Sequence, residues 1–238
     1  MARNPLAASS TAIGESALWP SAAIVAAAAL YADMPARFIA GPSAGAFSVV
    51  RWVVPALTAV LLGSLLASAP HGRLARSFDW GGHRLHLTRR YLAIGMIGVV
   101  SAANSASIIL LIHLLLHGAT ANASTLLRAA VHMWTVNILL FGLWYWQLDG
   151  GGPLARPTSP MAERDFLFPQ QIEPALAGRD WHPTFIDYLY VSFTNAAAFS
   201  PTDTMPLSRW AKMLMLVQSA ISLALAVMVV ARAVNILK

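Results

Sequence analysis

The chain is cut into long runs that carry no charged side chain: Ala17 to Ala32, Trp52 to Ala69, Tyr91 to Leu116, Ala129 to Leu148 and Met213 to Ala231. A hydrocarbon core about 30 Å thick is crossed by roughly 20 apolar residues rising about 1.5 Å each, and a helix crosses it because every backbone group then pairs within the segment. The last four runs meet that length and the first falls just short of it. The sequence therefore predicts an all-α, polytopic transmembrane helix bundle of five spans. Usage agrees, with 57% hydrophobic and 11% charged residues where soluble domains carry about 25% charged. The first run resembles a signal peptide in outline. It starts late, contains Pro20 and has no small-x-small cleavage site close behind it, so a retained helix is expected.

The formal charge of +6 comes from 14 Arg and two Lys, Lys212 and Lys238, and it falls in the connections between runs. Basic residues beside apolar spans meet anionic headgroups and hold loops on the cytoplasmic side, so the lipid bilayer is the expected partner and a multi-pass place in the inner (plasma) membrane the expected location. Nucleic acid would need a basic soluble domain with exposed aromatics, for which no segment is long enough. The absence of cysteine excludes disulfides, thiolate metal sites and cysteine nucleophiles. No His-Glu-x-x-His pair, Gly-x-Ser-x-Gly elbow or phosphate-binding glycine loop is present. No catalytic residue, metal or cofactor is therefore expected, and the chain does not read as an enzyme.

Residues 1–16 are small and polar and are expected to form a flexible N-terminus, followed by a four-span helical membrane domain over residues 17–148. The connection Asp33 to Ser48 carries Phe38, Ile39 and Phe47 between small residues and suits the membrane interface. His71 to Arg90 holds Arg73, Arg76, Arg84, Arg89 and Arg90 against Asp79 alone, which places this loop in the cytoplasm. The short turn Gly118 to Thr125 makes spans three and four antiparallel neighbours. Residues 149–182 form a Gly/Pro-containing loop of balanced charge, expected to be irregular. Trp134, Trp144, Tyr145 and Trp146 on span four read as an interfacial anchor.

Residues 183–238 have a different order. A short apolar segment, FIDYLYVSFTNAAA, runs into the loop Phe199, Ser200, Pro201, Thr202, Asp203, and Pro206 leads into the last span. Tyr188, Ser192, Phe193, Thr194, Asp203, Pro206 and Arg209 stand as in the pore module of tetrameric potassium channels, which this segment resembles without a gap. Asp187 to Thr194, Phe199 to Asp203 and Ala233 to Asn235 are more closely similar to a group of uncharacterised bacterial integral membrane proteins, themselves distantly like that pore module. The resemblance implies a pore-helix or re-entrant segment before the last span, and a homo-oligomer, tetrameric if a pore, at whose axis monovalent cations pass. Its filter-like positions are Thr194, Asn195, Ala198, Phe199, Ser200, Pro201, Thr202 and Asp203. Ala198 to Thr202 do not retain the Thr-Val-Gly-Tyr-Gly filter. Ser200 and Thr202 would be strained at left-handed angles, and Pro201 restricts Ser200 to extended backbone. The implied activity is an ion-channel-like one, a poorly selective or non-potassium-selective cation pore. The alternatives are a non-conducting protein that keeps the module as a packing motif, and a proton-coupled carrier.

Three arrangements of the module remain: the channel orientation, which violates the charge rule, an inverted loop entering from the cytoplasm, or a segment Pro183 to Pro201 that crosses completely. The third is preferred because it gives six spans and puts Arg232 and Lys238 inside. Asp187 is either an intramembrane carboxylate or the start of a helix, the second being favoured. Asp203 suits a charge ring at a pore mouth, or, with Ser200 or Thr202, the cap of a last helix starting near Thr204. His113 and His132 lie on neighbouring spans where a proton relay is conceivable. Hydrogen bonds between helices are the expected role for them and for Asn104, Asn137 and Gln218.

Overall fold

A computed structural model of the chain describes residues 18–35, 37–40, 55–60, 82–116, 123–153, 155–156, 159–173, 181–198 and 203–236, with single positions 52, 62, 175, 177 and 200. Its elements in order are α1 (Leu18–Asp33), α2 (Arg37–Ala40), α3 (Gly82–Leu116), α4 (Ala123–Leu148), β1 (Phe166–Leu167), α5 (Pro169–Ile172), α6 (Phe185–Ala198), β2 (Met205–Pro206) and α7 (Arg209–Ile236). Three helical stretches, Arg90–Leu116, Ser124–Gly151 and Arg209–Val230, are long and apolar enough to cross a membrane. The 16 residues of α1 reach about 24 Å and fall short of a full crossing. Most of the expected second span, the N-terminal residues 1–16 and the greater part of the turn 118–125 lie outside the described residues. The described chain thus supplies three full-length spans where the sequence count is five. α3 begins at Gly82, ahead of its uncharged run, so the last part of the Arg-rich connection is already helical.

α4 is the central element and touches α1, α3, α6 and α7. Its most apolar window is 61% buried, against 33% for α3 and 22% for α7. Side-chain pairs set the directions. Trp144 Nε1 donates to Ser101 Oγ at 3.0 Å and Asn104 Nδ2 to the Met133 carbonyl at 3.5 Å, so α3 and α4 are antiparallel. Tyr145 pairs with Gln218 and Asn137 with Ser222, which makes α7 antiparallel to α4 as well. Ala23 and Ala27 of α1 share a core with Leu140 and Leu143, while Asp33 reaches His132. α1, α3 and α7 therefore all start at the end of the bundle where α4 finishes, called the loop end below. Phe38 is buried with Met34, Leu111 and Met133 at the other end.

At the loop end α4 is stopped by Gly150, Gly151 and Gly152, with φ of 57°, 83° and 96°. Only glycine adopts this run cheaply, and a Cβ at Gly152 would also sit 2.9 Å from the Gln147 carbonyl oxygen. The loop that follows is more ordered than its composition suggests. β1 pairs antiparallel with β2, Phe166 opposite Pro206 and Leu167 opposite Met205, and the Leu207 N–H donates to the Asp165 carbonyl at 2.8 Å. Phe166 and Phe168 are buried against α4, α6 and α7, with ring centroids 5.1 Å from Tyr145 and 5.3 Å from Tyr188 respectively.

α6 starts at the loop end with one half of a capping box: the Asp187 carboxylate accepts the Thr184 N–H at 2.7 Å and its hydroxyl at 2.9 Å. Its 14 residues rise about 21 Å, too short to cross. By Asn195 the helix has reached the level of Ser219 on α7, and by Met205 the chain is back beside β1. The segment therefore enters the bundle, stops about halfway and returns to the end it came from, in place of the complete crossing and sixth span that the charges favoured. α7 starts at Arg209, later than expected near Thr204. Its cap is Ser208, whose Oγ accepts the Ala211 N–H at 3.1 Å, while Asp203 accepts the Thr204 hydroxyl at 3.3 Å.

Gly142 lets α4 and α6 approach, since a Cβ there would lie 3.2 Å from Leu189 Cα and 3.3 Å from its Cδ1. Gly142→Leu is expected to lower stability by about 1–3 kcal/mol through overpacking. Gly95→Ala, with nothing within 4 Å of the new carbon, leaves it unchanged or raised; thermal unfolding in detergent compares the two.

Candidate functional site

Beneath the end of α6 lies a closed set of polar side chains contributed by α4, α6 and α7. Gln218 is its centre. Its Oε1 accepts the Tyr145 hydroxyl at 2.6 Å and Asn195 Nδ2 at 2.9 Å, and its Nε2 donates to the Ser192 carbonyl at 2.9 Å and Ser192 Oγ at 2.7 Å. Both lone pairs and both hydrogens of the amide are thus used. The bonds continue outward: Ser192 Oγ donates to the Ile138 carbonyl at 2.7 Å, Asn195 Nδ2 to the Met215 carbonyl at 3.0 Å, and Ser219 Oγ to Asn195 Oδ1 at 3.1 Å. Tyr145, Ser192 and Gln218 are fully buried and Asn195 is 2% exposed. Tyr145 is accordingly a core residue and not part of an interfacial anchor; Trp134, Trp144 and Trp146 are half-buried.

A second cluster closes the loop end. The Asp149 carboxylate, 1% exposed, accepts the Asp165 N–H at 2.7 Å and the Phe166 N–H at 3.2 Å on Oδ1, and the Tyr188 hydroxyl on Oδ2. Arg156 Nε stands 3.5 Å from Oδ2, and its other nitrogens donate to the carbonyls of Trp146 and Pro183. Its guanidinium carbon also lies 4.6 Å from the Tyr188 ring centroid. Burial pushes the Tyr188 phenol well above its ordinary range, with Arg156 opposing the rise and Asp149 adding to it, so Tyr188 stays a donor. This cluster ties the end of α4, the long loop and the start of α6 together.

The filter-like residues divide into two groups. Asn195 and Thr194 face inward, Thr194 Oγ1 donating back to the Tyr190 and Val191 carbonyls at 3.0 and 3.1 Å. Ala198, Ser200 and Asp203 are exposed, as is Ala197, while Phe199, Pro201 and Thr202 lie outside the described residues. Asn137 Nδ2 donates to Ser222 Oγ at 3.3 Å. Asn104 is buried, and its Oδ1 has no hydrogen-bond partner among the described residues. His113 is exposed, whereas His132 Nε2 stands 3.7 Å from Asp33 Oδ2. Asp187 is a helix cap. Among the described residues no group of three or more His, Cys, Asp or Glu side chains is placed to hold a metal.

Sequence reasoning missed Asp149, Arg156 and Arg164 as a site, because they read as balanced loop charges. Their one advance signal is the helix-stopping glycine run that follows Asp149. Fold and site together define a helical membrane protein in which a half-length helix is pinned between two spanning ones. Comparison of the chain with protein-family models, with curated proteins and with solved structures finds no match.

Gln218→Leu leaves the Tyr145 hydroxyl, the Ser192 hydroxyl and the Asn195 amide short of partners at once. With interhelical hydrogen bonds worth about 0.6–2 kcal/mol each, the substitution is expected to cost about 2–4 kcal/mol and to make α6 susceptible to proteolysis in detergent. Gln218→Glu, which keeps the acceptors and loses donors, falls between.

Proposed function

We propose that this chain is a pore-module membrane protein that works as a homo-oligomer, with α6, its returning chain and α7 gathered around a weakly selective pathway for monovalent cations. The observation that carries the reading is the return itself. A chain that leaves helical pairing at membrane depth must be covered by protein or face water, and here Ala197, Ala198, Ser200 and Asp203 are exposed on the single protomer. The polar groups on the inner side of α6 are bonded to one another, so a water path belongs on the outer side, between copies. α7 offers the remaining wall, with Met213, Leu216, Val217, Leu223, Val227 and Val230 exposed.

The order of a spanning helix, a half-length helix with a return, and a second spanning helix matches the potassium-channel pore module that residues 183–235 resemble. The uncharacterised bacterial membrane proteins with a similar ending are taken as its family. Ser200 and Thr202 replace the filter glycines and Pro201 its tyrosine, so potassium selectivity is not expected. Asp203 then concentrates cations at the mouth. For orientation, Arg90 lies beside Gly151 and Gly152, so the last residue of the Arg-rich connection and the opening of the α6 return share one end of the bundle. The excess of arginine assigns that end to the cytoplasm, which makes the loop an inverted one. A second reading has one observation in its favour: the complete internal satisfaction of the Gln218 hub serves a non-conducting protein equally well.

The chain has no cysteine, so Ser200→Cys is a clean probe. Oxidation in native membranes is expected to give disulfide-linked dimers through Ser200→Cys, and lysine-directed cross-linking a ladder ending at four copies. Proteoliposomes are expected to pass both sodium and potassium, with Asp203→Ala reducing the flux at least about threefold through lost cation focusing. Absence of flux, from a tetramer or a monomer, contradicts the conducting reading and supports the non-conducting one.

A further inference from the structure

The glycine turn at the loop end gathers more positive charge than it has partners for. Three arginine side chains converge on Gly150 to Gly152: a Cβ at Gly150 would lie 2.9 Å from Arg164 Cδ, 3.3 Å from its Nε and 3.5 Å from Arg156 Cγ, and at Gly151 and Gly152 it would lie 3.9 Å from Arg90 Nη1 and Nε. The carboxylate among them is Asp149, and its oxygens are already occupied by two backbone N–H groups and the Tyr188 hydroxyl. Arg156 is spent on Asp149, Trp146 and Pro183. Arg164 is not. Its side chain is only 9% exposed, Nη2 donates to the Arg156 carbonyl, Nη1 stands 3.9 Å from Asp149 Oδ2, and neither Nε nor Nη1 has a hydrogen-bond partner among the described residues. Arg90 Nε is buried and without one too.

Buried guanidinium N–H groups left without acceptors are costly, and their presence in a folded chain calls for an ion or water that completes them. The missing group must be anionic and must offer several acceptor oxygens to two planar forks. That is the chemistry of a phosphate, which arginine binds bidentately. Its depth fits as well, since Arg90 opens the apolar stretch of α3 and Gly151 closes that of α4, the level at which lipid headgroups sit.

We infer that Arg90 and Arg164 bind a phosphate group against the Gly150 to Gly152 turn, carried by an anionic lipid headgroup or by free phosphate. Arg156 and Asp149 hold the turn and Arg164 in place. The site is separate from the α6 return and stands whether or not the protein conducts.

The full-length protein in a neutral maltoside detergent is titrated with dioctanoyl phosphatidylglycerol, dioctanoyl phosphatidylcholine or inorganic phosphate while thermal unfolding is followed. A saturable rise in Tm with an anionic probe and none with phosphatidylcholine is the expected result. Arg90→Gln weakens the apparent Kd about tenfold or more, the value of a charge-assisted hydrogen bond. Its ligand-free Tm stays at or above that of the parent, because Nε has no partner to lose. Arg90→Lys, which keeps the charge without the fork, weakens it less, and Arg128→Gln, exposed near the other end of α4, changes nothing. Saturation by phosphatidylglycerol alone names a lipid, and saturation by inorganic phosphate as well names a free-anion site. No saturable rise with either anion, or a rise that Arg90→Gln leaves unaltered, overturns the inference.

Discussion

A helix that stops halfway through a bundle is tenable when the polar groups beneath it are bonded to one another, and Gln218 is the side chain on which those bonds close. Its amide takes two donors from α4 and α6 and gives two hydrogens back to Ser192, so one residue of α7 fixes both neighbours. Apolar contacts alone would not fix the depth of α6, because lipid tails compete with them on equal terms. Hydrogen bonds do so because each has one geometry. The close approach at Gly142 then fills the remaining gap between α4 and α6.

The same constraint explains why the long loop is ordered where it matters. α6 must begin at the loop end in a fixed place, and the Asp149 cluster supplies it by joining the residue that follows α4 to Tyr188 through a single carboxylate. Phe166 and Phe168 wedge between three helices, and the β1–β2 pairing brings the returning chain to the start of α7. The buried charges here confer position more than stability, since removing two charges from water offsets much of their attraction. At the glycine turn itself three arginines meet the single Asp149 carboxylate, the part of the arrangement that structure alone does not balance.

The spanning helices were legible because charge-free length is a local property: Tyr91 to Leu116, Ala129 to Leu148 and Met213 to Ala231 each fall within a helix of the structure. α6 was legible as a short segment before a Pro-containing loop, and Asp187 as a helix start. Which polar residues meet was not. Tyr145 sits among three tryptophans and reads as an interface residue, yet the helical period turns it toward Gln218 while they remain half-buried. Asp149, Arg156 and Arg164 read as loop charges because their meeting depends on a turn of three left-handed glycines and on β1 reaching β2, neither of which has a periodic signature. The return of residues 183–201 is not legible for a related reason: charge counting weighs the ends of a chain and cannot see that Met205 lies back beside β1.

The central claim is that α6 enters and leaves the bundle on one side, and sidedness tests it most directly. In the cysteine-free chain, single cysteines at Ser159, in the long loop, and at Leu207, after the return, are treated with a membrane-impermeant thiol reagent on sealed right-side-out and inside-out vesicles. The account predicts that both label from the same face, the cytoplasmic one, and that a cysteine at Asn235 labels from the opposite face. Labelling of Ser159→Cys and Leu207→Cys from opposite faces would mean that residues 183–201 cross the membrane, and would contradict it.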